Sequence, residues 1–255
     1  LQYSGGKTTG TWKYFHRNGK LYYQLNMTEK GAEGDVTYFT DEGKIDYKYT
    51  YKEGVAIGTS DYFHKGKIYV SYKNNNKGKT SEVRYLDSAG NELLVNKRSG
   101  KNWTITYFNP YRIKTAEKTF DQQENLMGDA VYYNSLGLPV VQEPYSDNEL
   151  NGTRKSWYYN RKLKDEIEYK NDKKNGASKT YFANGQLSTV SFYDDDVLQD
   201  YQYGYNSKGI LQSVYYFADG DKDGDARIYC PNGKLNDEEK DTRGWIEQMT
   251  QYDTA

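Results

Sequence analysis

The sequence predicts an all-β fold: an elongated antiparallel β-hairpin repeat array of about ten repeats of about 24 residues, built as a single-layer twisted meander or an open solenoid. Three observations predict it. One phrase returns along nearly the whole chain at a near-constant step. Each step holds two short β-favouring runs separated by turn residues. Nowhere do apolar residues recur at the 3.6-residue period of a helix.

The phrase reads GTWKYFHRNGKL from Gly10, GDVTYFTDEGKI from Gly34, GTSDYFHKGKI from Gly58 and GASKTYFANGQL from Gly176. Looser copies start at Gly128, Gly152 and Gly224. Taking one tyrosine per copy gives Tyr14, Tyr38, Tyr62, Tyr85, Tyr107, Tyr132, Tyr158, Tyr181, Tyr205 and Tyr229, at steps of 24, 24, 23, 22, 25, 26, 23, 24 and 24. Residues 1–9 are then a lead-in, 10–243 the array, and 244–255, with Gly244-Trp245-Ile246, a C-terminal cap.

Within the first copy, Trp12 to Phe15 and Leu21 to Leu25 flank Asn18-Gly19. Asn-Gly between such runs predicts a tight hairpin with positive φ at both central residues. Alternation then puts Trp12 and Tyr14 on one face with Leu21, Tyr23 and Leu25. The second copy puts Val36, Tyr38, Ile45, Tyr47 and Tyr49 on the equivalent face. A second turn, Lys30-Gly31-Ala32-Glu33-Gly34, leads into each new copy.

Composition agrees. Only 43 of 255 residues are Leu, Ile, Val or Phe, yet 35 basic residues nearly cancel 36 acidic ones, so the chain lacks the net charge of a disordered one. The apolar area is supplied by 29 Tyr, 4 Trp and 8 Phe, rings that suit a sheet with one drier face rather than a deep two-layer core. A mean hydropathy of −1.07 and the lack of any long apolar run exclude a transmembrane helix. The net charge of −1 argues against a nucleic-acid surface. Cys230 is the single cysteine, which excludes an intrachain disulfide and a cysteine-based zinc site. The chain starts at Leu1, as a processed secretory chain would. An extracytoplasmic location, secreted, periplasmic or surface-anchored, is therefore the expectation, with the cytoplasm as the alternative.

Gly10, Trp12, Tyr14, Phe15, Asn18, Gly19, Lys20 and Leu21, with their counterparts in later copies, resemble the variant MORN repeats of bacterial proteins, some of them antitoxin components. The likeness is most faithful over 10–70 and 176–236, and departs where Tyr111 and Arg161 stand in turns that expect Gly. It implies a β-hairpin array acting as a binding or scaffolding surface, with no family-wide catalytic residue. A weaker similarity links YNSKGIL from Tyr205 to the YD repeats of large bacterial surface and toxin proteins.

Candidate sites follow. Asp219, Asp221, Asp223 and Asp225, with Gly220 and Gly224 between them, match the start of a calcium loop. Cys230 stands where that loop needs a bidentate Glu, so a solvated turn is the alternative. Asp194-Asp195-Asp196 reads as a charged turn, His16 and His64 as duplicated structural positions, and Cys230 as a packing residue. No G-x-S-x-G, phosphate loop or H-E-x-x-H motif occurs, and no carboxylate pair stands apart, so an enzyme is not expected. The remaining candidate is aromatic. Phe15, Phe39, Phe63, Phe108, Tyr133, Tyr159 and Phe182 follow the repeated tyrosines and form a second row on the opposite face, with Tyr22 and Trp157 as further exposed-ring candidates. Those rings either pack on one another or bind a partner. The function expected is a non-enzymatic scaffold for protein–protein interaction. The alternatives are a glycan- or cell-wall-binding module and an antitoxin- or immunity-like partner.

Overall fold

The computed structural model describes residues 2–4 and 7–253, and the described residues contain no helix. Residues 1, 5 and 6 of the lead-in, and 254 and 255 of the cap, lie outside the described residues. The chain divides into two units, 1–112 and 113–255.

The first unit holds β1 (Gln2–Ser4), β2 (Lys7–Phe15), β3 (Leu21–Thr28), β4 (Gly31–Phe39), β5 (Ile45–Lys52), β6 (Val55–His64), β7 (Lys67–Asn74), β8 (Thr80–Leu86), β9 (Glu92–Lys97) and β10 (Trp103–Phe108). β1 to β9 form one sheet in strict chain order. Each strand pairs antiparallel with the next, a meander.

The second unit holds β11 (Lys114–Phe120), β12 (Leu126–Tyr133), β13 (Pro139–Ser146), β14 (Glu149–Leu150), β15 (Gly152–Trp157), β16 (Leu163–Lys170), β17 (Lys173–Tyr181), β18 (Leu187–Asp194), β19 (Val197–Tyr205), β20 (Leu211–Ala218), β21 (Asp221–Lys222), β22 (Gly224–Tyr229), β23 (Leu235–Thr242) and β24 (Trp245–Gln251). These also follow chain order, with the two-residue β14 and β21 set off the main path beside β13 and β20. The fold expected from the repeats, an open antiparallel hairpin array, is the fold observed.

The core is thin. The largest fully buried side chains are Val36, Val83 and Ser60, so each strand depends on its immediate neighbours rather than on a second layer.

The two rims of the sheet are built differently. At one rim the Asn-Gly turn is a type I turn closed by a glycine bulge: Gly19 N–H donates to the His16 carbonyl at 2.9 Å and His16 N–H to the Lys20 carbonyl at 2.8 Å. Only Gly19 has positive φ, +82°, so the expected turn with positive φ at both residues is not formed here. Three residues, not two, bridge the strands, and one left-handed position suffices. The two-residue turns lie at the other rim. There Glu53-Gly54, Asp147-Asn148, Asn171-Asp172, Asp195-Asp196, Asp219-Gly220 and Arg243-Gly244 all have positive φ.

Both rims are laced from copy to copy. The Asn18 amide donates to the Asp41 carbonyl at 2.8 Å and the Lys20 ammonium to the Glu42 carbonyl at 3.1 Å. Asn160 and Lys162 repeat this toward the Ala183 and Asn184 carbonyls at 2.8 and 2.5 Å. That is why the phrase ends Asn-Gly-Lys: one residue bends the chain and its neighbours hold the next turn. On the opposite rim Asp196 N–H donates to the Lys174 carbonyl at 2.9 Å, while Lys174 N–H donates to the Asp196 carboxylate at 2.8 Å. Asp172 makes the same reciprocal pair with Leu150, at 3.0 and 2.7 Å.

Register corrects the sequence reading in two places. Trp12 faces Leu25 and Tyr14 faces Tyr23 as expected, but a bulge after Tyr14 sets Leu21 opposite Phe15. Likewise Ile45 lies opposite Phe39. The bulge recurs after Tyr132, Ser156, Thr180, Gly204 and Ile228, each 24 residues from the last. These residues, and not Tyr158, Tyr181, Tyr205 and Tyr229, occupy the place of Tyr14. The pairing counts from the bulge glycine four residues upstream (Gly10, Gly128, Gly152, Gly176, Gly224), and the tyrosine is free to slip past it. In the same way Arg112 and Arg161, with φ of +64° and +67°, take the turn-glycine position, and Tyr111 takes that of Asn18.

Candidate functional site

Counting from the bulges exposes one row of side chains crossing the first unit at right angles to its strands. Tyr14 pairs with Tyr23, Tyr23 with Tyr38, Tyr38 with Tyr47, Tyr47 with Tyr62, Tyr62 with Val70 and Val70 with Tyr85. The rings stack along the row, with centroids 4.4, 4.6, 4.2 and 5.7 Å apart from Tyr14 to Tyr62. Interplanar angles of 19°, 39°, 26° and 31° leave the ring faces turned toward one another. Such pairs stabilise a sheet beyond the area they bury.

The polar tips are also linked. The hydroxyls of Tyr22 and Tyr47 lie 2.9 Å apart, and those of Tyr49 and Tyr62 are hydrogen-bonded. Burial, and then these hydroxyl contacts, push Tyr38, Tyr47 and Tyr49 well above the ordinary tyrosine value. Burial raises Tyr72 as well, and Tyr85 to about 12. The row is a half-buried, uncharged strip of rings with hydroxyls at its surface.

The same row in the second unit is small and polar. It runs Tyr132, Val141, Ser156, Asp165, Thr180, Thr189, Gly204, Ser213, Ile228 and Asp237. Asp165 is held there by the Ser156 hydroxyl and by Arg154, whose Nη1 lies 2.9 Å from it. On the opposite face of this unit Tyr201 and Tyr216 are exposed and in edge-to-face contact at 5.2 Å.

Residues 8–28, 32–53, 150–171 and 174–195 match the MORN repeat variant. The chain carries variant MORN repeats. The resemblance read from Gly10 to Leu21 is borne out, and each matched segment spans one hairpin. No curated protein matches the chain. Among solved structures, the TcdB2-TccC3-Cdc42 crystal structure aligns at 12% identity and a TM-score of 0.23, covering 96% of this chain and 16% of that one. The TcdB2-TccC3 crystal structure aligns at 11% and 0.24, covering 93% and 16%. The Photorhabdus luminescens Tc holotoxin pore aligns at 12% and 0.22, covering 91% and 13%. The chain thus spans about a sixth of the first two and less of the third.

The aromatic candidates do not form one row on the MORN array. Phe15 is 58% exposed, and Phe39 and Phe63 are half-buried opposite Ile45 and Ile68. Tyr22 belongs to the stacked tyrosines through Tyr47. Tyr133 donates to Glu117 at 2.8 Å beneath the Lys114 ammonium. Trp157 occupies the place of Phe15 in its copy, opposite Leu163. Tyr159, 70% exposed, and Phe182 lie in turns, because register in those copies runs ahead of the tyrosine used to count it.

The acidic candidates are spread along the MORN hairpins. Asp219 stands in a two-residue turn and exchanges hydrogen bonds with Gln199 at 3.3 and 3.2 Å. Asp221 is in β21, Asp223 N–H bonds the Tyr216 carbonyl at 3.0 Å, and Asp225 faces Lys240. Among the described residues, no three His, Cys, Asp or Glu side chains are placed to hold a metal ion. Asp195-Asp196 is the turn the sequence indicated, with Asp196 as its clamp. Cys230 is half-buried, its thiol 3.6 Å from the Asn236 amide oxygen. Sequence reading had placed Tyr23, Tyr47 and Tyr49 on the face of Tyr14, but it missed Arg154 and the carboxylates of β23.

Proposed function

We propose that the chain is a non-enzymatic MORN-type scaffold that binds a partner protein through the tyrosine row of its first unit. The observation carrying this reading is the Tyr14–Tyr23–Tyr38–Tyr47–Tyr62 stack. Its rings turn their faces toward each other and leave edges and hydroxyls at the surface. Sugars stack on open ring faces, which this row does not offer. Polypeptide packs well on edges and bonds to hydroxyls, and Tyr is favoured at protein interfaces for that reason. Binding without catalysis is supported by the titratable groups: the tyrosines are pushed up, and paired carboxylates such as Glu53 and Glu238 are pulled down.

The test is a photo-crosslinking amino acid placed at Tyr14 or, as control, at Lys13 on the opposite face. A discrete adduct from position 14 alone, competed by unmodified protein, supports the reading. Selective binding on a glycan array, lost when Tyr22 or Trp157 is replaced, would overturn it. With it we propose a location outside the bacterial cytoplasm, supported by the resemblance to bacterial variant repeats and checked by cell fractionation.

A further inference from the structure

Two copies of the array put a carboxylate at the same place and treat it differently. Asp165 in β16 and Asp237 in β23 each face the residue just before the bulge, Ser156 in one case and Ile228 in the other. Asp165 receives the Ser156 hydroxyl and the Arg154 guanidinium, which also reaches Glu143 at 3.3 Å. Asp237 receives neither. Ile228 has no hydroxyl, and the position matching Arg154 is Ala226. Asp237 is only 6% exposed. Its Oδ2 accepts the Asn236 amide at 2.5 Å, while Oδ1 is buried without a partner. A buried carboxylate oxygen left unpaired is strongly unfavourable.

Glu239 and Asp241 continue the same face of β23, opposite Ala226 and Gly224, and Asp241 is 3% exposed. The first copy has Tyr23, Leu25 and Met27 at these three positions, and the ninth has Ser213, Tyr215 and Phe217. Small residues on β22 form one side of a shallow acidic trough, and Met249 and Ile246 on β24 form the other. Among the described residues, none of the three carboxylates forms an ion pair. Burial and then Glu239 and Asp241 push the Tyr215 hydroxyl up, so the negative field reaches across the trough. Alternate residues of a strand stand roughly 6.7 Å apart. That is too wide for one small ion, but it matches alternate side chains of another extended chain.

We propose that the Asp237–Glu239–Asp241 face receives arginine side chains from alternate positions of an extended segment of a partner protein. One of them supplies to Asp237 the guanidinium that Arg154 supplies to Asp165. Arginine suits the site because its planar fork bonds a carboxylate through two donors. The inference rests on the reading of the chain as a protein-binding scaffold, but uses a different surface from the tyrosine row.

The experiment measures fluorescence anisotropy at low salt with two labelled ten-residue peptides of equal composition, one with arginines at alternate positions and one with them consecutive. The alternating peptide is expected to bind at least tenfold more tightly, and Asp237→Asn and Asp241→Asn to weaken it at least tenfold each. Ala226→Arg, which places a guanidinium where Arg154 lies in its own copy, is expected to raise the melting temperature and abolish peptide binding. Equal affinity for the two peptides, a lowered melting temperature for Ala226→Arg, or unchanged binding by that variant would overturn the proposal. Crosslinking at Tyr14 that survives Asp237→Asn would leave the scaffold reading standing on its own.

Discussion

The His16 ring donates through Nε2 to the Phe39 carbonyl of the next copy at 2.7 Å, whereas the duplicated His64 has a buried Nε2 with no partner. The reason lies in Arg112. Its Nε and Nη2 occupy the Leu86 carbonyl at 3.1 and 2.6 Å, the acceptor that His64 would otherwise take. Two identical residues at one repeat position thus have opposite energetic signs. His16→Ala should lower stability by about 1 kcal/mol, while His64→Leu should be neutral or stabilising by up to about 1 kcal/mol. Urea unfolding monitored by tyrosine fluorescence checks both. Equal losses would contradict the assignment.

Arg161 holds the left-handed turn position at φ +67°, where Gly19 stands in the first copy at +82°. A side chain there is strained by roughly 1–2 kcal/mol, partly offset by the greater unfolded freedom of glycine. Arg161→Gly should therefore stabilise by about 0.5–1 kcal/mol, read as a higher urea midpoint at constant m-value. Gly19→Ala should shift the midpoint the other way.

Asp196 closes a reciprocal pair with Lys174, and its side chain supplies one half. Asp196→Ala should cost about 1–2 kcal/mol, since it removes both a charge-assisted bond and a residue that tolerates left-handed φ. Asp196→Asn, which keeps the acceptor, should recover most of that loss. Amide exchange at Lys174 is the local readout: its N–H should lose protection in the alanine variant and keep it in the asparagine one.

The stacked tyrosines make a prediction in alkali. Their folded values lie above the unfolded value of 10.0, with Tyr85 at about 12 and Tyr38, Tyr47 and Tyr49 higher still. The folded state therefore holds protons that the unfolded chain releases, so stability is unaffected below about pH 9 and falls as pH rises through 10 and beyond. Ultraviolet titration near 295 nm should show an early phase from exposed tyrosines and a late phase that coincides with unfolding. A single phase at the ordinary value would refute the shielding described here.

The hairpin order, the rim positions and the face shared by Trp12, Tyr14, Tyr23 and Leu25 were legible because alternation and turn residues act locally. What was not legible is where each copy begins to count. Tyrosine is abundant enough to appear one or two residues late, as Tyr158 and Tyr181 do, while the pairing follows the upstream glycine bulge. The Arg154–Asp165 pair was hidden for a related reason. Its members lie on neighbouring strands and become partners only once the bulge fixes which residues face one another. Asp237 was overlooked because an acidic stretch reads as solvated surface, and burial here comes from β22 and β24 on either side.

In the second unit the bulges fall 24 residues apart without exception from Tyr132 to Ile228. A block of that length is a cassette. Removing one whole block from the gene should bring matching rims together and keep every row continuous, whereas a cut one residue longer or shorter would turn all later side chains to the wrong side. A lineage that lengthens or shortens such a protein can do so in whole cassettes, and the width of the binding face becomes a heritable quantity counted in integers.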